Sequence, residues 1–406
     1  MKNIAVIGGG AAGFFAAINC AEKNPDYTIT IFEKSNSLLS KVKISGGGRC
    51  NVTHACFDAI ALSKNYPRGE KQLLGPFTKF NPSNTIEWFK KRGVEIKREE
   101  DGRMFPASNI SQTIIDCFMA EAKRNHIKIC INTGIDEIIS RDNTLKIKTS
   151  KNELIIVDAI LITAGSAIHI WRMLEGLGHK IIPAVPSLFT FNCKDERLLG
   201  LEGLAVPKAS VTISPNTKNK LTTIGPVLVT HWGLSGPAIL RASAWGARVL
   251  AEANHRFETQ INWTDKEVNE VREKLKQQKV EHAKKTVSSN PMFAIPKRLW
   301  ERMVQFSLLH EKWNTVNFAD LSNKQIDCLA NNLAACSFQI TGKSTFKEEF
   351  VTAGGVDLSE VDFKTMQSKI IPGIYFAGEV LDIDAITGGF NFQAAWTTAW
   401  VAANAL

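Results

Sequence analysis

The chain has 406 residues, of which 44% are hydrophobic and 22% charged, with a net charge of +9. This is ordinary globular composition at a length that calls for two or three domains, and no run of about 20 consecutive apolar residues is present, which excludes a membrane span. The eight cysteines include no C-x-x-C pair and suit neither a zinc nor an iron–sulfur site, so they read as reduced thiols of a cytosolic protein.

Asn3 to Ile7 is a short apolar run, read as a buried parallel strand. A glycine turn and an Ala-rich helix to about Lys23 follow, then a second strand, Tyr27 to Phe32. The glycines, and a basic region limited to Lys2, argue against a signal peptide over Met1 to Ala17. Ser83–Arg92 reads as a helix, with Ile86 and Phe89 on one side. Ser108–Asn125 reads as another, capped by Ser108 or Asn109, with Ile110, Ile114, Ile115, Phe118, Met119 and Ala122 at helical spacing. Four strands come next: Ile127–Asn132, Ile135–Arg141, Thr144–Thr149 and Leu154–Thr163. The last three form a small meander that ends at Ala164-Gly165.

Between about Pro186 and Thr345 the texture changes. Leu188–Cys193, Ala209–Ile213 and Val227–Thr230 read as strands, and Asn216–Lys220 as a polar turn. Thr264–Lys285 reads as a charged helix with a thin apolar stripe of Val268, Val271, Leu275 and Val280. Its interleaved Lys, Arg and Glu suggest a solvated face laced with ion pairs, not an RNA groove. Helical patterns continue to about Ala335, and short strands resume from Phe346, including Gly373–Ala377. An apolar helix from Phe390 to Leu406 closes the chain. The terminal portions thus form one α/β domain interrupted by an insertion.

The strongest motif is Gly8-x-Gly10-x-x-Gly13 between the first strand and helix, with Glu33 ending the second strand 20 residues beyond Gly13. This is the dinucleotide fingerprint in its required context. The glycines permit a tight turn, close approach of a pyrophosphate and close helix–strand packing, while Glu33 would accept bonds from ribose hydroxyls. An acid there disfavours a 2′-phosphate. The fingerprint does not choose between FAD and NAD. Two later features favour FAD: the meander leading into Ile160–Gly165, and Gly373–Glu379, a strand ending in glycine and an acid. The last helix starts near Gly388-Gly389-Phe390-Asn391, where its amides would face the flavin O2.

The loop Gly46-Gly47-Gly48-Arg49-Cys50-Asn51 offers backbone donors for phosphate or flavin with a guanidinium beside them. Arg49 and His231 are the candidates for chemistry, His231 as a general acid or base or as a turn-holding residue. Cys50 has no second cysteine at a redox spacing. Ser235 is no hydrolase elbow, because Pro237 stands where a glycine is needed. Arg103 holds either an anionic substrate or its own loop, the loop being favoured.

Four blocks resemble the HI0933-like flavoproteins, which include aminoacetone oxidases and bile-acid reductase-like proteins. They are Ser45–Thr53, Gly102–Ser108, Thr230–Ala238, and Ala377–Asp382 running on to Thr387–Phe392. The resemblance covers nearly the whole chain. It implies a Rossmann-like FAD-binding domain of the glutathione-reductase-related class over 1–186 and 346–406. A β-barrel-like domain over 187–263 and 333–345 is inserted in it, itself interrupted by a helical subdomain over 264–332. The FAD contacts it implies are Gly8, Gly10, Ala12, Gly13, Glu33, Lys34, Gly48, Arg49, Cys50, Asn51, Ile135, Ala164, Gly165, Gly378, Glu379, Gly389, Phe390 and Asn391. One stretch departs. After the meander many members carry a second Gly-rich segment with Tyr and Pro, whereas here Thr163 to His179 has Trp171 and Arg172 in that region.

The functional expectation is an FAD-dependent oxidoreductase of the cytoplasm acting on a small or medium organic substrate. No second G-x-G-x-x-G is present, so NAD(P)H would act from a transient site, or substrate would reduce the flavin and oxygen reoxidise it. The positive charge keeps an RNA-binding or RNA-modifying flavoprotein as an alternative, although a Lys-rich surface accounts for it more simply. A non-catalytic flavin redox sensor is the other.

Overall fold

The computed structural model describes residues 2–142, 144–216, 219–309, 311–344 and 351–406. It divides into two compact units, Met1–Val185 with Phe346–Leu406, and Pro186–Thr345.

In the first unit, strand Asn3–Ile7 lies between Thr28–Phe32 and Ala159–Ile162, parallel to both. Lys128–Cys130 extends the sheet beyond Thr28–Phe32, and Ile374–Phe376 extends it beyond Ala159–Ile162, again parallel. Both faces are covered, which is why these strands read as continuous apolar runs and not as alternations. Helices Ala11–Lys23 and Phe390–Ala405 pack against each other, with Phe15 and Trp396 ring centroids 5.2 Å apart. The last helix is apolar on every side because it lies inside the core. Trp88, Phe89 and Phe118 complete this aromatic cluster.

The meander of Ile135–Arg141, Thr144–Thr149 and Leu154–Val157 is present. The expected single strand Leu154–Thr163 is two strands, Leu154–Val157 in the meander and Ala159–Ile162 in the parallel sheet. Asp158 makes the switch: its carboxylate accepts from the Asn3 N–H (2.6 Å) and its own N–H donates to the Asn3 carbonyl (2.8 Å). The helix expected from Ser108 begins at Gln112. Asn109 is left-handed (φ +57°), and the Ser108 hydroxyl accepts from the Ile110 N–H, so this segment is a turn. Ile110 is therefore exposed, while Ile114 and Phe118 are buried.

The second unit carries a seven-stranded antiparallel sheet in the order Cys336–Ile340, Phe257–Asn262, Ala205–Asn216, Asn219–Thr230, Gly233–Ser235, Thr190–Asn192, Gly342–Ser344. Of the expected polar turn, residues 217 and 218 lie outside the described residues, as do 345–350 at the expected domain boundary. The charged helix spans Val268–Glu281, shorter than Thr264–Lys285, because Asn262 Oδ1 accepts from both the N–H and the hydroxyl of Thr264 and closes a turn there. Val271 and Leu275 are buried, but Val280 is 82% exposed and leaves the apolar stripe. Lys266 and Lys274 both pair with Glu270, and Lys276 pairs with Glu273.

One buried polar cluster ties the ends of the first unit and makes its stability depend on pH. His179 Nδ1 faces Glu360 Oε2 (3.1 Å), and its Nε2 faces the Ser368 hydroxyl (3.1 Å). Ser368 Oγ already accepts from the N–H groups of Ile370 and Ile371, so its proton goes to Nε2. The cluster is thus complete with a neutral imidazole, and burial lowers the His179 pKa despite Glu360. The unfolded chain then binds the proton more readily than the folded one. This contribution is full above the ordinary histidine pKa of about 6.5 and is lost as pH falls below it. The urea midpoint should therefore drop between about pH 7.5 and about pH 5.5, and less steeply in His179→Gln. His54, His169 and His255 are shifted the same way, so some slope should remain. An H179Q slope equal to that of the parent would refute the assignment.

Candidate functional site

The glycine turn behaves as its spacing requires. Gly8 has φ +113°, and a Cβ there would lie 2.7 Å from the Thr163 carbonyl oxygen. A Cβ on Gly13 would fall 2.0 Å from the Gly8 carbonyl oxygen. By contrast, a Cβ on Gly10 would meet nothing within 4 Å, so the loop has an open face there. Helix Ala11–Lys23 begins beneath this opening with no side-chain cap and no acid in its first turn. Uncapped amides and the helix dipole make that opening a cradle for a pyrophosphate. Glu33 accepts from the Gly9 N–H (2.9 Å) and from the Ser35 N–H and hydroxyl (2.9 and 2.8 Å). Its Oε2 keeps an acceptor position for a ribose hydroxyl. Lys34 and Ile135 lie on two separate segments joined by the Thr133 N–H on the Glu33 carbonyl (2.8 Å). The Thr163 hydroxyl donates to the carbonyls of Ile7 and Gly8, which fixes Ala164-Gly165 beside the loop.

The C-terminal segment meets this loop directly. Gly378 (φ +76°) donates its N–H to the Thr398 hydroxyl, and a Cβ there would approach the Ala12 Cβ to 3.1 Å. The Glu379 carboxylate is paired with Lys41, and a Cβ on Gly165 would lie 3.9 Å from Glu379 Oε2. Residues 41, 165 and 379 thus converge. Ser166–Gly178, the divergent stretch, contains helix Ile168–Gly176, and its buried Trp171 donates an indole N–H to the Val380 carbonyl (2.9 Å).

The third limb is Ser45–Thr53. Gly46, Gly47, Gly48 and Cys50 all have left-handed φ, and the Cβ positions of Gly47 and Gly48 face open space. Asn51 ties this limb to the last helix. With its amide oriented as its neighbours require, it donates to the Thr53 and Met104 carbonyls and accepts from the Gly389 N–H (3.0 Å). Helix Phe390–Ala405 has no side-chain cap and no acid in its first turn, so its positive end is left for an anionic ligand. Asn391 turns inward, bonding both the N–H and the carbonyl of Ala385, and so shapes the loop before the helix.

Burial pushes the Cys50 thiol up to about 12, which makes it a poor redox nucleophile. Arg49 pairs with Glu99 (2.6 Å) and lies over the Phe105 ring (3.9 Å). Arg103 pairs with Asp101 (2.6 Å) and Glu99 (3.2 Å) within its own hairpin, so it holds the loop. His231 belongs to the second unit, where it is exposed in the turn between Asn219–Thr230 and Gly233–Ser235.

Sequence reasoning did not single out Gly9 or Lys41, which the fold brings to these limbs. Gly9 sits inside the glycine run and was within reach; a Cβ there would strike Leu38 at 2.6 Å. Lys41 carries no local signal, because its partner is 338 residues away.

The HI0933-like protein Rossmann domain family matches residues 2–405. A ribosomal RNA dihydrouridine synthase of Haemophilus influenzae is 27% identical, over 98% of this chain and 96% of its own. A 3-dehydro-bile acid delta(4,6)-reductase of Clostridium scindens is 25% identical, over 100% of this chain and 99% of its own. The structure of a 3-ketosteroid-delta4-(5alpha)-dehydrogenase from Rhodococcus jostii RHA1 has the same fold, with a TM-score of 0.51 at 11% identity, covering 100% of this chain and 96% of the other.

Proposed function

Since the chain belongs to the HI0933-like family of flavin-dependent oxidoreductases, we propose that it uses FAD to reduce a carbon–carbon double bond conjugated with a carbonyl in a small organic substrate. The observation that carries the cofactor placement is the convergence of two uncapped helix starts, Ala11 and Phe390, with the glycine limbs at Gly8–Gly13 and Gly46–Gly48. The open faces at Gly10, Gly47 and Gly48 fit a dinucleotide. Supporting the reaction class, the names of the two relatives describe different substrates but one kind of change, saturation of a double bond.

FAD, when bound, supplies the hydride carrier. Glu33 would orient the adenosine ribose, and the first turn of helix Ala11–Lys23 would hold the pyrophosphate. Glu379, its charge balanced by Lys41, would orient the ribityl chain. Gly48 to Asn51 would lie against the flavin ring, with Cys50 as a neutral thiol. The positive end of helix Phe390–Ala405 would stabilise negative charge on the reduced ring. Arg49, steadied by Glu99, would be the guanidinium for an anionic group.

NAD(P)H acts as a transient donor in this reading. The test is anaerobic: NADH or NADPH should bleach the bound flavin, and a conjugated enone should restore its colour. Recolouring by uridine-containing ribosomal RNA but by no enone would transfer the proposal to an RNA substrate, for which the +9 charge speaks. Recolouring by oxygen alone would overturn the enone reading and leave an oxidase or a redox sensor.

A further inference from the structure

We propose that His54 is a positioning residue of the flavin site, whose imidazole sets the charge beside the first turn of the last helix and thereby tunes the reduction potential of the flavin. The proposal rests on the FAD placement above. His54 ends the two-residue strand Thr53–His54, just after the Gly46–Asn51 limb. Its ring stacks on Phe390, the first residue of helix Phe390–Ala405, with centroids 4.6 Å apart and planes 20° from parallel. Two glycines clamp its edges. A Cβ on Gly102 would lie 2.6 Å from Cε1, and one on Gly388 would lie 3.4 Å from Cδ2. The ring therefore has one orientation, fixed against the helix start.

In that orientation Nδ1 is buried and has no hydrogen-bond partner. A buried imidazole nitrogen left unpaired is costly, and a packing role alone would be served by an apolar ring. The surrounding charges are few. From the hairpin Ile96–Pro106 come Asp101, whose backbone hydrogen-bonds the ring and whose carboxylate also favours the imidazolium, and Arg98, which opposes it, while Arg103 is held on Asp101. From its own segment come Cys56 and Asp58, and the first turn of the helix, Phe390 to Gln393, carries no charge. Burial is the strongest influence and favours the neutral ring. Acidification then adds a positive charge at the helix start that is meant to receive the negative charge of reduced flavin, which makes reduction easier.

The experiment is a set of midpoint potentials of the FAD-loaded protein from about pH 8 to about pH 5, for the parent, His54→Phe and His54→Gln. The phenylalanine keeps the stack, and the glutamine keeps a polar group. In the parent, potential should rise with acid more steeply than the flavin's own proton uptake requires; both variants should lose that extra rise while retaining FAD. Superimposable curves in the parent and either FAD-loaded variant would overturn the proposal and leave the FAD placement standing. A parent that takes up no FAD would overturn both.

Discussion

Gly10→Ala and Gly13→Ala should fail in opposite ways, although both remove a glycine from the same fingerprint. At Gly13 the new methyl would sit 2.0 Å from the Gly8 carbonyl oxygen and 2.8 Å from Thr163 Oγ1. The first is backbone, and Thr163 is bonded to the Ile7 and Gly8 carbonyls, so neither gives way without moving the loop. Overpacking of this kind costs about 1–3 kcal/mol or more, and a main-chain clash belongs at the upper end. The apo protein should lose about 3 kcal/mol in urea unfolding, and FAD binding should be lost with it. At Gly10 the methyl meets nothing within 4 Å, so apo stability should stay within about 1 kcal/mol of the parent. That methyl nevertheless stands on the open face assigned to the pyrophosphate, so FAD affinity should fall by about 100-fold or more. Urea midpoints of the apo proteins and FAD titrations by fluorescence separate the two. A G10A variant with parental FAD affinity would contradict the pyrophosphate placement, and a G13A variant as stable as the parent would contradict the packing argument.

The contrast also shows how far the sequence could be read. The spacing of Gly8, Gly10, Gly13 and Glu33 is local chemistry within a β-α-β unit, so strand, turn and helix were all legible. The switch at Asp158 was not, because Leu154 to Thr163 is apolar throughout and only the pairing with Asn3 reveals that two sheets share it. Val280 has helical spacing but lies at the end of a helix whose neighbours do not reach it. The C-terminal limb was legible only through family resemblance. Gly389 is required because a Cβ would lie 2.4 Å from the Thr53 carbonyl oxygen, a contact across more than 300 residues that no local pattern encodes. Ser166–Gly178 departs from the Gly-rich segment of many family members, and its Trp171 holds the Val380 carbonyl next to Glu379, a support that only the fold reveals.

A second large effect is expected at Arg68, which supports that limb from the other side. Its Nε and Nη2 donate to the two carboxylate oxygens of Asp384, whose side chain is fully buried. The same segment contributes the Tyr66 hydroxyl to the Phe390 carbonyl (2.6 Å) and the Asn65 carbonyl to the Ile386 N–H (3.1 Å). Arg68→Met keeps the length of the side chain but removes the cation facing a buried carboxylate. Breaking a buried pair from one side costs about 3–5 kcal/mol, so a comparable loss of stability is expected, and FAD should be held weakly because residues 384–389 lead into the last helix. Removing both charges of a buried pair together is often neutral, so the single variant does not measure the net worth of the pair. The double variant Arg68→Met/Asp384→Leu resolves this. Recovery of the urea midpoint without recovery of FAD affinity would mean that the ion pair places Gly388-Gly389 for the flavin. Recovery of both would mean that any filled core suffices there, and the limb is positioned by Tyr66, Asn65 and Asn51 instead.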